Sequence, residues 1–295
     1  MQPIQALQVI GVRYRGCTVA ETYEKTLAGF VAANVYASLG VPVEIVEPDF
    51  PAAQHVADEP TNLGIFGGLI ADDVAAARRQ GKALLLVGGN CAHMTGVVGG
   101  LQDAHGPGAR IGLVWFDAHG DFNTPRTTLS GMLGGMPVAV SAGLAYPHWR
   151  TASHIAAPLP TDRIVMVDVR NLDVPEAQLI HATDVTIAAV ADDFPGVALS
   201  TAVHDLAARC DFIYLHIDSD ILDAAYVPNH NTREPNGPSM AQVQAAIHTV
   251  MATGKVAALA VVSVYGTGAG SERCIASGCE LIQSGLAAWR QSGMS

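Results

Sequence analysis

Short apolar runs alternate along the chain with longer segments whose apolar residues recur at helical spacing, and this alternation restricts the fold more than any other feature. Such runs are typical of strands buried on both faces of a sheet, and their alternation with helices is typical of a mostly parallel, doubly wound sheet. The sequence therefore predicts an α/β fold. Strands are expected near residues 5–12, 42–47, 82–87, 111–116, 163–169, 185–190, 212–217 and 255–264, and helices near residues 22–39, 65–80, 175–182, 195–208, 239–251 and 275–290.

Acidic residues follow two of the predicted strands, at positions two apart. Asp117 and Asp121, with His119 between them, follow residues 111–116, and Asp218 and Asp220 follow residues 212–217. Side chains two apart on extended backbone point the same way, and open α/β sheets bind ligands at the carboxyl ends of their strands. Four bare carboxylates at one place would repel each other, whereas divalent cations remove that conflict. Oxygen ligands with one imidazole suit magnesium, zinc and above all manganese. Loop residues or helix caps are the alternative interpretation.

Composition and charge exclude several classes of partner. The chain has 295 residues, a formal net charge of -11 at pH 7 and five cysteines. The negative charge argues against nucleic acid or an anionic membrane as a partner, and no apolar run reaches transmembrane length. An odd number of cysteines without a framework spacing, and no recognisable signal peptide, predict free thiols and a cytoplasmic protein. Without a linker-like segment, residues 1–295 are expected to form a single domain.

Two motifs resemble the signatures of a known enzyme family. Residues 117–123 read DAHGDFN, and residues 216–228 read HIDSDILDAAYVP. Both are similar to the aspartate-rich signatures of the arginase/agmatinase ureohydrolases, and the likeness extends over nearly the whole chain. The resemblance implies a three-layer α/β/α fold, two manganese ions, and hydrolysis of a C–N bond in a small-molecule guanidine or amidine. It also implies a homo-oligomer, either a trimer or a hexamer.

The same resemblance implies roles for individual residues. The implied metal ligands are Asp117 and Asp218 bridging both ions, Asp121 and Cys91 at the first ion, and His119 and Asp220 at the second. Asp121 would also act in catalysis, because its carboxylate would orient the attacking water. The implied substrate-binding residues are Asn123 and Ser130 at the α-carboxylate, Asp173 near the α-ammonium, and Thr232 beside the guanidine. For Asp173, capping of the following helix is an equally good interpretation.

Three positions depart from the family pattern. Cys91 stands where the family has a metal-binding histidine, Gly134 where it has a proton-shuttling histidine, and Ser263 where a glutamate pairs with the guanidinium. Because thiolate is a soft ligand and manganese a hard ion, two interpretations of Cys91 stay open: a metal ligand, or a small buried residue without metal contact. His93 is a less favoured ligand, since a helix starting there would point it away from Cys91.

The departures bear on the substrate. A protonated guanidinium beside two divalent ions needs a counter-carboxylate, which Ser263 does not supply. A less basic N-hydroxyguanidine needs none, and Cys91 together with the HGDFNTP run also resembles the hydroxyarginine-hydrolysing branch of the family. We therefore expect a hydrolase of an arginine-like or N-hydroxyarginine-like amino acid that releases urea or a substituted urea.

Two alternatives remain. One is hydrolysis of another linear amidine, such as agmatine, guanidinobutyrate, formiminoglutamate or peptidyl arginine. The other is a non-catalytic regulatory or scaffold subunit with the same fold. His230 and Arg233 are interpreted as loop residues that could reach a substrate tail.

Overall fold

The structure, a computed structural model, describes residues 4–292, and nine of the strands within that range form one parallel sheet. In chain order the strands are β1 (Leu7–Val12), β2 (Tyr14–Arg15), β3 (Thr18–Val19), β4 (Val43–Val46), β5 (Ala83–Gly88), β6 (Ile111–Phe116), β7 (Ile164–Val167), β8 (Thr186–Ala189), β9 (Val197–Ala198), β10 (Phe212–Asp218) and β11 (Val256–Val262). The sheet has the order β4-β1-β5-β11-β10-β6-β7-β8-β9. β2 and β3 form a separate antiparallel hairpin.

Helices cover both faces of the sheet. They are α1 (Glu21–Ala32), α2 (Glu59–Arg79), α3 (Met94–His105), α4 (Pro137–Ser141), α5 (Pro147–Ala152), α6 (Val174–His181), α7 (Leu199–Arg209), α8 (Met240–Met251) and α9 (Ser271–Ser292). Alternate strand residues point to opposite faces, so Val9 and Leu85 pack in the core beneath α1, α7, α8 and α9. Ile10 and Leu84 pack in the core beneath α2 to α6. The architecture is three-layer α/β/α, which confirms the predicted fold class.

The first helix is shorter than the sequence predicted. Helical apolar spacing continues over residues 22–39, but α1 ends at Ala32, and Asn34 adopts a left-handed φ of 50°. A left-handed residue cannot continue a right-handed helix, so the chain restarts as a short 3-10 helix, Val35–Leu39. That segment ends at Gly40, whose φ of 75° is a conformation that glycine adopts readily.

Strand order brings the predicted site residues to one edge of the sheet. β6 and β10 are neighbours, with Trp115 opposite His216 and Phe116 opposite Ile217. β11 lies on the other side of β10 and is followed by β5. Because all these strands are parallel, their carboxyl ends share one edge, and the loops that follow them begin side by side.

A glycine that no other residue could replace without strain begins the loop after β5. Gly88 has a φ of 75°, and a Cβ there would lie 2.5 Å from the carbonyl oxygen of Val12. Glycine adopts this conformation at no steric cost, and the sharp turn that results directs the chain toward the same edge as β6 and β10. None of the helices within residues 4–292 combines the length and apolarity that a membrane span requires.

Candidate metal centre

Three buried side chains from three different strands meet at this edge. The Sγ atom of Cys91 lies 3.0 Å from Oδ2 of Asp218 and 3.6 Å from Oδ2 of Asp117. Cys91 follows β5, Asp117 follows β6, and Asp218 ends β10, so each side chain is placed by a separate strand end. Their ligand atoms all lie within 4.8 Å of one another, which is close enough for all three to hold one ion.

A second group shares Asp117 with the first. The imidazole Nδ1 of His119 lies 3.2 Å from Oδ1 of Asp117 and 3.3 Å from Oδ2 of Asp220. Backbone N–H groups fix both carboxylates of the β10 end, because the amide of Asp220 donates to Asp218 at 3.0 Å and that of Ala118 to Asp220 at 3.4 Å. The structure thus brings Asp117 and His119 together with Asp218 and Asp220.

His230 forms a third group with Asp218 and Asp220. Its Nε2 lies 3.4 Å from Oδ1 of Asp218, and its Nδ1 lies 3.6 Å from Oδ2 of Asp220. The ring is only 2% exposed. Sequence reasoning left this histidine in a loop at the edge of the site, whereas the structure buries it in the centre. The loop carries no periodicity that would have revealed its direction, and only its closeness in sequence to the second acidic pair was a signal.

A second histidine was also missed. His216, inside β10, stacks on Trp115 with ring centroids 4.0 Å apart, and its Nε2 lies 3.4 Å from the Sγ of Cys91. Burial lowers the pKa of His216 to about 3, so the ring is neutral, and the hydroxyl of Tyr214 lies 2.7 Å from its Nδ1. His216 therefore fixes the position of the Cys91 side chain from inside the sheet.

Crowding of acidic groups shifts their protonation. Burial, together with the carboxylates of Asp220 and Asp218, raises the pKa of Asp117 well above its usual range. Burial likewise raises the pKa of Asp121 against the opposing effect of His119. Burial also opposes protonation of His119, but its hydrogen bonds to Asp117 and Asp220 raise its pKa to about 12. The bare cluster therefore retains protons that cations would displace.

The donor set fits divalent cations. Within residues 4–292 the carboxylates of Asp117, Asp218 and Asp220 form ion pairs with histidines, and none with a lysine or arginine. Buried carboxylates are stable only when paired, protonated or bound to metal. Three carboxylates with imidazole nitrogens and one thiol are a donor set that manganese or zinc accepts.

Asp121 lies in the same cavity but outside the three groups above, as far as residues 4–292 show. Its backbone has a left-handed φ of 45°, a conformation that aspartate tolerates better than most residues. Its carbonyl accepts a hydrogen bond from the amide of Val138 at 3.1 Å, which ties the loop to α4. The side chain is 8% exposed, so its carboxylate faces the cavity rather than bulk water.

The centre lies at the base of a cavity of about 640 Å³. Three of the predicted substrate-binding residues line it, namely Ser130, Asp173 and Thr232. Thr232 donates its hydroxyl to Oδ2 of Asp220 at 2.9 Å. Asp173 has both roles that the sequence left open, because it lines the cavity and also precedes α6 in a capping box with Glu176.

Asn123 takes a different position from the one expected. It is not among the residues that line the cavity, and its amide is used within the protein. Its Nδ2 donates to Oδ2 of Asp173 at 3.3 Å, and its Oδ1 accepts from the hydroxyl of Thr127 at 2.9 Å. Asn123 therefore holds the Asp173 carboxylate in place through a hydrogen bond.

The departures from the family pattern all face the centre. Gly134 and Ser263 line the cavity together with Cys91. His93 does not, because its two ring nitrogens lie 3.0 Å from the carbonyl of Asn90 and 2.9 Å from that of Gly16. His93 was the less favoured ligand in the sequence, and its hydrogen bonds to these two carbonyls agree with that prediction.

Comparisons with known proteins agree with the fold and the motifs. Residues 38–287 match the model of the arginase family. The arginase of Neurospora crassa is 27% identical over 233 residues, which are 74% of this chain and 64% of that protein. The N(omega)-hydroxy-L-arginine amidinohydrolase of Streptomyces lavendulae is 34% identical over 140 residues, 48% of this chain and 46% of that protein.

The chain thus spans about half to two thirds of the length of these curated relatives. Among solved structures, the arginase of Entamoeba histolytica in complex with L-ornithine has the same fold. Its TM-score is 0.83 at 21% identity, over 97% of this chain and 99% of that one. The match to the family model covers most of the chain, from the first 3-10 helix to the last turns of α9, and includes both acidic strand ends. The protein is a member of the arginase family.

Proposed function

We propose that the protein is a metal-dependent amidinohydrolase, which cleaves a guanidine C–N bond in a substrate resembling N-hydroxyarginine. The observation that carries this proposal is the buried cluster of carboxylates at two neighbouring strand ends, whose charge no lysine or arginine of the described chain offsets. We also propose that residues 1–295 act as one catalytic domain, since the elements described pack on a single large sheet.

Two manganese ions are the proposed cofactor. Asp117, Asp218 and Asp220 each belong to two of the three ligand groups, and Asp117 is the residue shared by the group with Cys91 and the group with His119, which supports it as a bridging ligand. Asp218 is the second proposed bridging ligand, because its position in the motif resembles that of the family's bridging aspartate. Cys91 and Asp121 would complete the first site, and His119 and Asp220 the second. Two bound divalent ions would lower the pKa of a shared water to about 7 and so supply hydroxide at neutral pH.

The protein side chains would orient the reactants. The carboxylate of Asp121, buried beside the ligand groups, is the proposed acceptor that holds the water in line with the guanidine carbon. Asp173 carries a negative charge on the cavity wall, where it can pair with an α-ammonium group. Ser130, on the exposed loop at the mouth, has a hydroxyl that can bind a substrate carboxylate.

The substrate follows from the groups that the cavity lacks. Ser263 lies in the wall where the family has a glutamate, and Gly134 where it has a histidine, so neither a counter-carboxylate nor that proton donor is present at these positions. An N-hydroxyguanidine is less basic than a guanidine, and it requires neither. Water would add to its carbon and the C–N bond to the side chain would break, giving ornithine and hydroxyurea. The similarity to the Streptomyces lavendulae enzyme supports this choice.

The test is hydrolysis by purified protein loaded with manganese, with ornithine release measured from N-hydroxyarginine and from arginine. We expect a higher kcat/KM for N-hydroxyarginine, and we expect chelation or Asp121→Asn to abolish both activities. Faster hydrolysis of arginine than of N-hydroxyarginine would contradict the proposed substrate. Protein that purifies without metal, binds none and releases no amine from any amidine would instead support the scaffold alternative.

A second substrate class deserves the same assay because of Asn123. Its amide is bonded to Asp173 and Thr127, so recognition of an α-carboxylate rests on Ser130 alone among the expected pair. A substrate without that carboxylate, such as agmatine, would lose little in this cavity. If agmatine were hydrolysed faster than either amino acid, this second class would replace the first.

A further inference from the structure

His230 presents a hydrogen-bond donor to the cavity. The backbone N–H of Thr232 donates to Nδ1 of the ring at 3.2 Å, which leaves the hydrogen of the imidazole on Nε2. That Nε2 is buried and has no hydrogen-bond partner among the described residues. Oδ1 of Asp218 lies 3.4 Å from this Nε2, a long contact that acts as an ion pair only when the ring is protonated.

The ring is held in place from several sides. Tyr265 packs edge-on against it, with ring centroids 4.7 Å apart. The backbone amide of His230 donates to the carbonyl of Val227 at 2.9 Å, and its carbonyl accepts from Arg233 at 3.1 Å. A donor fixed in this way before the substrate arrives loses little conformational freedom on binding.

The chemistry of the two candidate substrates differs at this donor. A guanidinium carries only N–H donors, so it would face the Nε2–H of His230 donor to donor and leave both groups unpaired. A neutral N-hydroxyguanidine offers a lone pair on its imine nitrogen and two on its hydroxyl oxygen. Ser263, on the same wall, cannot compensate a guanidinium charge as a carboxylate would.

We propose that His230 determines substrate specificity by donating its Nε2–H to an acceptor atom of a neutral amidine. The proposal rests on the proposed function, since it concerns the substrate of the same site. On this proposal, His230 favours the binding of an amidine that has an acceptor atom and disfavours the binding of a guanidinium. If His230 instead only supported Asp218, its loss would weaken metal binding without changing the preference between substrates.

Specificity after substitution separates these roles. His230→Leu removes the donor at similar volume, His230→Gln keeps an N–H donor, and Asn231→Ala is a control on the same cavity wall. In manganese-loaded His230→Leu we expect the ratio of kcat/KM for N-hydroxyarginine over arginine to fall by at least about tenfold, the loss expected for one buried hydrogen bond. We expect His230→Gln and Asn231→Ala to keep most of the ratio. An unchanged ratio in His230→Leu, whether or not manganese is lost, would overturn the proposal.

A binding measurement does not depend on turnover, and its wild-type part does not depend on a variant folding. Benzamidoxime and benzamidine have the same shape, but only the neutral amidoxime offers acceptor atoms. We expect benzamidoxime to raise the Tm of the manganese-loaded wild-type protein more than benzamidine does, and His230→Leu to remove that difference. A larger shift with benzamidine in the wild type would overturn the proposal. If benzamidoxime binds as expected but no amidine is hydrolysed, the proposed function fails while the role of His230 in recognition stands.

Discussion

At the scale of single residues, Cys91 is the least usual part of the centre. Its Sγ donates to Asp218 at 3.0 Å, and burial followed by the charge of Asp218 raises the pKa of the thiol well above its ordinary value. A bound cation would reverse this, because metals deprotonate a coordinating thiol. Thiolate nevertheless favours softer metals, so manganese should be held less firmly here than by an imidazole.

Cys91→His should therefore strengthen manganese binding. We expect the affinity of the weaker site to rise by at least about tenfold, a change of the size that groups around metal sites commonly produce. Cys91→Ser is the matched control, since it removes the soft sulfur at nearly the same volume, and it should bind manganese no better than the wild type. Equilibrium dialysis with manganese measures both. Equal affinities in the wild type and Cys91→His would contradict the expected penalty of a sulfur ligand at this site.

The sequence predicted some of these residues and not others for physical reasons. Asp117, Asp218 and their partners two positions on could be predicted because a strand ends at Asp218 and another directly before Asp117, and each strand fixes the direction of its pair. His230 could not, because eleven residues, 219–229, separate it from Asp218 and no spacing rule gives the direction of a loop side chain. Asn123 was placed by its motif, but its bonds to Asp173 and Thr127 depend on a loop fold that the motif does not specify.

At the scale of elements, helices and strands form where capping and periodicity agree. A helix was expected near residues 239–251, and α8 forms there with a reciprocal capping box of Ser239 and Gln242 at its start. The break in α1 at Asn34 was not predictable in this way, because apolar spacing continues through it. Helix α3 was also missed, because its glycine-rich sequence carries little helix propensity and its close packing on α2 compensates.

Loss of the α8 cap should lower the stability of the fold without changing manganese binding. Ser239→Ala removes the acceptor for the amide of Gln242, and we expect the free energy of unfolding to fall by about 1 kcal/mol. Ser200→Ala, exposed in α7, should leave it unchanged. Urea denaturation measures both, and manganese content should not change in either. A loss of manganese in Ser239→Ala would show that the loop before α8 depends on its cap.

At the scale of the whole molecule, acidic groups gathered in the centre link stability to pH. The folded, metal-free protein keeps protons on Asp117 and Asp121 that the unfolded chain releases above about pH 4. His119 likewise keeps a proton up to about pH 12 that the unfolded chain releases near pH 6.5. Each of these differences in proton binding between the folded and unfolded chain lowers the stability of the fold as pH rises. The depressed pKa of Asp218 has the opposite effect, but only at lower pH.

Without metal, the Tm should therefore fall between pH 5 and pH 8. With saturating manganese the fall should be absent or reversed, because the ions hold the carboxylates ionised and the imidazole unprotonated. Asp117→Asn should flatten the metal-free profile, and Asp205→Asn, exposed on α7, should not. Differential scanning calorimetry at several pH values gives the comparison. Parallel profiles with and without manganese would mean that the metal does not bind to these groups.

The most direct test is an anomalous difference map from crystals grown with manganese. We expect two peaks between the carboxyl ends of β6 and β10, one beside Cys91 and Asp121 and the other beside His119 and Asp220, with Asp117 and Asp218 between them. Ordered side chains with no peak at this edge, or peaks only at other acidic sites on the surface, would contradict a shared metal centre and with it the proposed hydrolase.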